Sequence, residues 1–479
     1  MIFRSLREWG REQIGLGPQE NIPRAEATRR SSAFLVSTMA SFLTPFMSSS
    51  VNVALPSIGR SLGMDALLLG WVASAFLLSA VVFLVPFGRV ADIHGRKRVF
   101  TWGTVIYTLS SAVCALASEP STLIGARVGQ GAGGAMIFGT GMAILTSVFP
   151  GSARGRVLGY NVAAVYLGLS LGPFFGGFLT EYFGWRSVFA ANVPLGLMII
   201  GVVVSRLKGE WAEASGEGFD YPGSVLYGVS FIALMYGLST LTRPAGVWWI
   251  LGGILALVAF FQWERKAKWP IVDLDLFRGN TVFVFSNVAA LINYSATFAV
   301  TFLLSVYLQH IRGLGPQAAG LVLVAQPVVM AVLSPAAGRM SDTMEPRIVA
   351  SAGMGLSALG LGLLSFLREG TPMVFIVAGL VILGAGFALF SSPNTNAVMS
   401  AVERKVYGVA AATLGTMRLT GQMFSMGIAM LFLTIHIGRV ALSEAGVPET
   451  LLSVRQAFTL FAVLCAAGVA ASLARGKVR

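Results

Sequence analysis

Residues 88–100 read GRVADIHGRKRVF. In a chain that is 55% hydrophobic and 11% charged, these thirteen positions hold an Asp, a His and four basic residues between two long apolar runs. Gly88 and Asp92 are four apart and share a helix face. Gly95 can take a positive φ and turn the chain sharply. Arg96 and Lys97 then reach the lipid headgroups and can bond Asp92. The chemistry on offer is a set of ion pairs that can be broken and remade, not a covalent reaction. A second copy, GRMSDTMEPRIVA, stands 250 residues downstream at 338–350, with Asp342 and Arg347 in the matching places. It has no glycine at the turn, which predicts a weaker lock.

Other candidates lie inside apolar runs. Gly168, Gly172 and Gly176 recur every four residues and line one helix face, with Gly177 beside them. Small residues let two helices approach closely. Pro173 removes a backbone bond and predicts a kink. Arg127 lies a turn or two from a helix end, so it can snorkel. Arg418 lies roughly 18 Å into its helix, near the centre of a bilayer. An Arg there costs at least ~2.5–3.5 kcal/mol to insert and calls for a partner or a wet cavity. It stays charged, so it is not a proton carrier. Met47, Ser49, Asn52, Gln130, Asn293, Tyr294, Gln326, Asn394, Asn396 and Gln422 are candidates to line such a cavity. Each polar one can equally bond within its own bundle.

The elements that position these residues follow from hydropathy. The mean hydropathy is +0.75 over 479 residues, with 56 glycines. A soluble domain cannot bury that much apolar surface, and a bilayer-spanning helix needs roughly 20 apolar residues. Continuous rather than alternating runs argue against a β-barrel. Fourteen spans are predicted, near 33–54, 68–90, 98–117, 121–148, 156–180, 186–205 and 221–241. The others lie near 246–263, 281–308, 316–338, 347–367, 371–397, 406–436 and 453–474. With the N-terminus placed in the cytoplasm, 25 of the 34 basic residues fall on the cytoplasmic side and seven outside. That bias matches the positive-inside rule and accounts for the net charge of +13 without nucleic acid.

The predicted segments are a tail at 1–32, a six-helix bundle at 33–206 and a two-helix insert at 207–268. A second six-helix bundle at 269–475 and a tail at 476–479 complete the chain. The stretch MIFRSLREWGREQIGL suits either an interfacial helix or a solvated basic tail. About thirty polar residues precede the first apolar run, so no cleavable signal peptide is expected. Cys114 and Cys465 sit in apolar runs and give no case for a disulfide or metal site. No nucleotide loop, HExxH or triad is present, so no enzyme and no cofactor is expected.

Two parallel six-span halves about an axis normal to the membrane are the major facilitator arrangement. The loop at 88–98 resembles the signature of that superfamily. LIGARVGQGAGGA, with Arg127 at the family's basic position, and Gly168-x-x-x-Gly172-Pro173-x-x-Gly176-Gly177 resemble its fourth- and fifth-helix motifs. VNVALP at 51–56, WRSVFAANVPLG at 185–196 and FDYPG at 219–223 resemble the fourteen-helix drug:proton antiporter branch. The resemblance runs from about residue 33 to the end. It implies a gating loop that locks the halves when the outside gate is open, and a fifth-helix motif that marks exporters. It also implies a central path framed by helices 1, 4, 9 and 12. The branch places an acidic residue where this chain has Met47, and that residue would carry the proton.

No substitute is evident. All 21 acidic residues fall in tails, loops or helix ends. Glu119, Glu181, His310 and His436 lie near helix ends. The expected function is export of small amphipathic compounds across the cell membrane by alternating access, with proton coupling left open. A neutral or anionic substrate suits Arg418 better than a lipophilic cation. A proton-independent facilitator, an anion exchanger, and a non-transporting sensor or lipid-handling scaffold remain as alternatives. A monomer is expected.

Overall fold

The computed structural model describes residues 24–149, 151–272, 274–403, 407–438, 440 and 444–476. The stretch 1–16 lies outside the described residues, as does the side chain of Asp342. Among the described residues there is no strand. Lipid offers no hydrogen bonds, so each span satisfies its own backbone as a helix.

The first bundle holds α1 (Arg24–Leu62), α2 (Ala66–His94), α3 (Arg96–Leu116), α4 (Pro120–Val148) and α5 (Gly151–Phe183). Its sixth span is split into α6 (Arg186–Ala190) and α7 (Asn192–Arg206). The insert is α8 (Tyr221–Ser239) and α9 (Pro244–Glu264). The second bundle opens with α10 (Thr281–Thr297) and α11 (Val300–Val306), followed by a π-helical turn at Tyr307–Ile311. It continues with α12 (Pro316–Leu323), α13 (Ala325–Thr343), α14 (Pro346–Leu364), α15 (Met373–Ser400), α16 (Tyr407–His436) and α17 (Val447–Ala474). Among the described residues, fourteen helical stretches are long and apolar enough to cross a bilayer, matching the count expected from hydropathy.

The halves repeat the same packing. In the first, α1 packs on α5, α2 on α4, α3 on α4, and α3 on α7. In the second, α10 packs on α16, α13 on α15, α14 on α15, and α14 on α17. Each pairing recurs eight spans later, as a parallel repeat with a two-helix insert requires. The ends of α1 and α17 nearest the chain termini share one face of the molecule, the terminal face.

The span of α10 and α11 is broken at Phe298–Ala299, deep in the bundle. The Ala299 N–H freed by the break donates to Ser425 Oγ at 3.0 Å. A neighbouring helix thus repairs what lipid could not.

The insert is pinned at its base. Asp220 caps α8, accepting from Gly223 N–H at 3.0 Å, and takes Trp263 Nε1–H at 3.0 Å. Buried Glu264 accepts Val272 N–H at 3.2 Å. A Cβ on Gly223 would stand 2.2 Å from Asp220 Oδ2, so a side chain there would displace the carboxylate that caps α8. Helix α8 lies against α2 and α16, one helix from each half.

Candidate functional site

The loop at 88–98 is built on the terminal face where α2 ends. Gly95 takes φ 113°, and its amide donates to Ala91 O at 2.9 Å. The turn brings Arg96 back over Asp92, with Arg96 Nε donating to Asp92 Oδ1 at 2.9 Å. The guanidinium also grips Ser147 Oγ on α4 at 2.7 Å. Arg96 is 8% exposed. Gly88 stands close to Gly139 on α4.

A second partner comes from the segment between α7 and α8. Glu213 meets Arg96 bidentately at 2.7 and 2.9 Å. Glu210 accepts the Lys97 amide at 2.8 Å, satisfying an orphan donor at the start of α3. Glu217 pairs with Arg89. Two backbone bonds fasten the segment, Arg96 N–H to Trp211 O and Ala214 N–H to Asp92 O. Three carboxylates thus clasp the loop. The sequence held a signal for them: three Glu within eight residues on the face with the basic excess.

The second copy of the loop is different. Its turn runs through Met344 and Glu345 in extended conformation, with no positive φ. Arg347 makes no hydrogen bond among the described residues, and its buried Nε has no partner.

The glycines of α5 serve two interfaces. A Cβ on Gly168 would stand 2.5 Å from Phe42 O, and one on Gly176 2.6 Å from Ser50 Cα. That face packs on α1, within its own half. Gly177 instead approaches Pro316 O, and Gly320 approaches Pro173 O, at 2.4 and 2.2 Å from the ideal Cβ positions. These contacts join the two halves away from the terminal face. Glu181 adds a bond there, accepting Gln317 N–H at 2.8 Å. Gln309 reaches across to Val53 O at 2.8 Å. Pro173 cannot donate to Leu169 O; Ser49 Oγ donates to it at 3.3 Å instead. Helix α5 runs unbroken through the proline. Ser50 Oγ donates to Gly172 O at 2.9 Å.

Arg127 does not snorkel. It is 1% exposed, donates to Val72 O at 2.8 Å and to Gln130 Oε1, and lies 4.5 Å from the Phe76 ring centroid. Gln130 passes the chain on to Ser111 Oγ at 2.8 Å. All of this is internal to the first half.

Most of the polar cavity candidates bond within one half. Asn394 accepts from Arg475 at 3.0 Å and donates to Ser286 O at 3.1 Å. Burial pulls the Arg475 guanidinium down to about 10, with Glu345 opposing the shift. Asn396 donates to Ser341 Oγ at 2.7 Å. Asn293 points toward Cys465 of α17. Met47 is buried beneath the Asn192 amide of α7. Asn52 and Gln326 are buried and Gln422 half-buried, and their side chains make no hydrogen bond among the described residues.

Arg418 stands apart. It lies between the halves at mid-depth, 4.9 Å from the Phe138 ring centroid on α4 and 5.9 Å from Tyr294 on α10. Its Nε is buried without an acceptor. Tyr294 packs edge-on against Phe387 at 5.3 Å. Tyr166 of α5, close enough to feel the Arg418 charge, reaches Ser391 Oγ across the halves at 3.3 Å. Gln422 shares the Arg418 face of α16, one turn on. Phe138, Tyr166, Phe387 and Ser391 escape sequence reasoning because aromatic and hydroxyl residues in apolar runs look like packing. Only the facing Arg marks them.

Each ring contact offsets ~0.5–2 kcal/mol of the cost of burying the charge. Neither ring can accept the five N–H donors as a carboxylate would. The arrangement can therefore receive an acceptor-bearing, flat, apolar molecule.

A family model described as Major Facilitator Superfamily matches residues 38–272 and 287–477. The chain is 32% identical over 419 residues to the cephamycin export protein CmcT of Amycolatopsis lactamdurans, covering 85% of each protein. It is 29% identical over 391 residues to the riboflavin transporter RibZ of Clostridioides difficile (strain 630), covering 81% of this chain and 84% of that one. In fold it resembles a bacterial homologue of the human lysosomal transporter Spinster, solved inward-facing and unoccupied. There the TM-score is 0.68 at 15% identity, covering 93% of this chain and 97% of that one. A parallel repeat of six spans, a loop signature between the second and third, and a family match over most of the length agree: the chain belongs to the Major Facilitator Superfamily.

Proposed function

We propose that this membrane transporter exports small amphipathic organic compounds across the cell membrane by alternating access, as a monomer with both termini in the cytoplasm. The observation that carries the reading is the arrangement of contacts between the halves. They gather at mid-depth and toward the face away from the termini, through Gly177–Pro316, Gly320–Pro173 and Gln309–Val53. The basic excess on the terminal face supports a cytoplasmic assignment for it, so the seal described is on the outside.

Export is supported by the fifth-helix glycine motif and by relatives named for cephamycin export and multidrug resistance. A relative named for riboflavin transport extends the named cargo to another organic molecule. A proton-independent carrier is the second reading. It is favoured by Met47 at the expected acidic position and by the absence of any acidic residue from the middle of a span.

The test is reconstitution into liposomes with a trapped pH dye. Panels of lipophilic cations, organic anions and neutral amphiphiles are added against protein-free controls. Transport with proton movement selects the antiporter. Transport without it selects the second reading. No transport of any compound bound by the folded protein would remove the carrier reading.

A further inference from the structure

We propose that the Arg418 site takes a flat aromatic anion, and that the membrane potential, rather than a proton gradient, drives its export. The proposal rests on the carrier reading above and adds to it the cargo's charge and the energy source.

The argument begins with what Arg418 lacks. Its guanidinium sits at mid-depth between the halves, with no hydrogen bond among the described residues and its Nε buried. The nearest groups are rings. Phe138 belongs to the first half and Tyr294 to the second, and Phe387 backs Tyr294 edge-on. Tyr166 and Ser391 meet hydroxyl to hydroxyl across the same gap. A guanidinium flanked by aromatic faces from both halves suits a planar ring that carries an anionic group. The anion supplies acceptors for the N–H fork. The ring stacks on Phe138 or Tyr294. A lipophilic cation would meet like charge, and the ring faces that could offset the repulsion are already taken up by the guanidinium.

The charge count then fixes the energetics. No span carries an acidic residue in its middle, so Arg418 is not neutralised by the protein at that depth. With a monoanion bound, the site is neutral as it crosses. After release it returns carrying one positive charge. Each cycle therefore moves one net negative charge in the direction of the cargo. A cell interior is electrically negative, and that field drives an anion outward without a second ion. For one charge, tenfold accumulation corresponds to about 59 mV.

The experiment uses the full chain in liposomes, with pH equal on both sides and a potassium gradient plus valinomycin to set the potential. The probes are naphthalene sulfonate, the matching uncharged sulfonamide and naphthylmethyl trimethylammonium. Sulfonate is expected to accumulate in the positive compartment, about tenfold for each ~59 mV imposed. Reversing the potential should reverse the flux, and an added pH gradient should leave it unchanged. R418Q should cut sulfonate flux at least tenfold while thermal unfolding still shows a folded protein. R418K keeps the charge, loses the fork, and should fall between.

Sulfonate flux that ignores the potential and follows a pH gradient would overturn the proposal and leave the carrier reading standing. So would a preference for the ammonium probe, or full sulfonate flux in a folded R418Q. If no probe crosses under any gradient although the folded protein binds one of them, the carrier reading falls and takes the proposal with it.

Discussion

The guanidinium of Arg96 and the carboxylate of Glu213 lie fork to fork at 2.7 and 2.9 Å, although 117 residues separate them in the chain. Asp92 shares the same guanidinium from the last turn of α2, across the Gly95 turn. The loop's basic residue therefore answers to two carboxylates, one inside the signature and one outside it. Glu213 is largely exposed and Arg96 is not, so the pair is partly screened and contributes about 1 kcal/mol. E213Q is expected to release the segment around residues 209–217. A soluble protease should then cleave that segment several-fold faster in detergent. Molar salt, with a Debye length of about 3 Å, should produce part of the effect in the unaltered protein. D92N and E213Q should be non-additive in thermal stability, because they share one partner.

Gly95 is constrained twice. Its φ of 113° suits glycine alone, and an added Cβ would stand 2.4 Å from the Glu210 carboxyl carbon. G95A should cost at least about 1 kcal/mol of stability and slow transport. Adding E210A removes the clash but not the backbone strain, so the double variant should recover only part of the loss. Full recovery would mean that the φ is not strained.

The glycines of α5 should separate by interface. G168A forces α5 from α1 inside one half and is expected to lower folding yield and melting temperature. G177A presses on Pro316 across the halves. It should leave folding yield near normal and loosen the seal. The readout is a cysteine placed at buried Thr180, near Gly177 on α5, with Cys114 and Cys465 replaced, and labelled by a membrane-impermeant maleimide added outside. Labelling should rise in G177A and stay low in the single-cysteine reference.

Asn394 holds a buried guanidinium. N394A removes an acceptor from Arg475 and should cost about 1–3 kcal/mol. N394D places a carboxylate against the same group and should match or exceed the original stability. Burial has pulled Arg475 from 12.5 to about 10. The penalty of its buried charge is therefore complete below that pH and fades as pH rises through it. The gap between N394A and the parent in melting temperature should be widest near neutrality and narrow above about pH 10.

Hydropathy alone located all fourteen spans, because a bilayer demands length and apolarity from each span separately. The loop at 88–98 was legible for a similar reason: its Asp92, Gly95 and Arg96 are local in sequence and meet across one turn. The cluster of three Glu marked the segment carrying Glu213, but its pairing with Arg96 was not legible, since nothing local sets the fold of that segment. Rotation about the helix axis was also beyond reach. Asn394 reads like a cavity residue, and only the packing of α10, α15 and α17 turns it toward Arg475. Ser49 and Leu169 show the same limit. The proline that frees a carbonyl is visible in sequence, whereas the hydroxyl that answers it comes from a helix 120 residues away.

Helix α8 lies against both α2 and α16, with the Tyr227 hydroxyl donating to Val81 O at 3.2 Å and Gly427 facing Leu238 and Met235. Its partner α9 turns Trp248, Trp249 and Leu255 outward. Along this edge the boundary between the halves is roofed by a helix pair. There α8 covers the line where α2 meets α16 on the side facing the insert. The opposite edge, where α5 faces α12 and α13, has no such cover among the described residues. The insert thus makes a two-sided carrier asymmetric toward its own solvent.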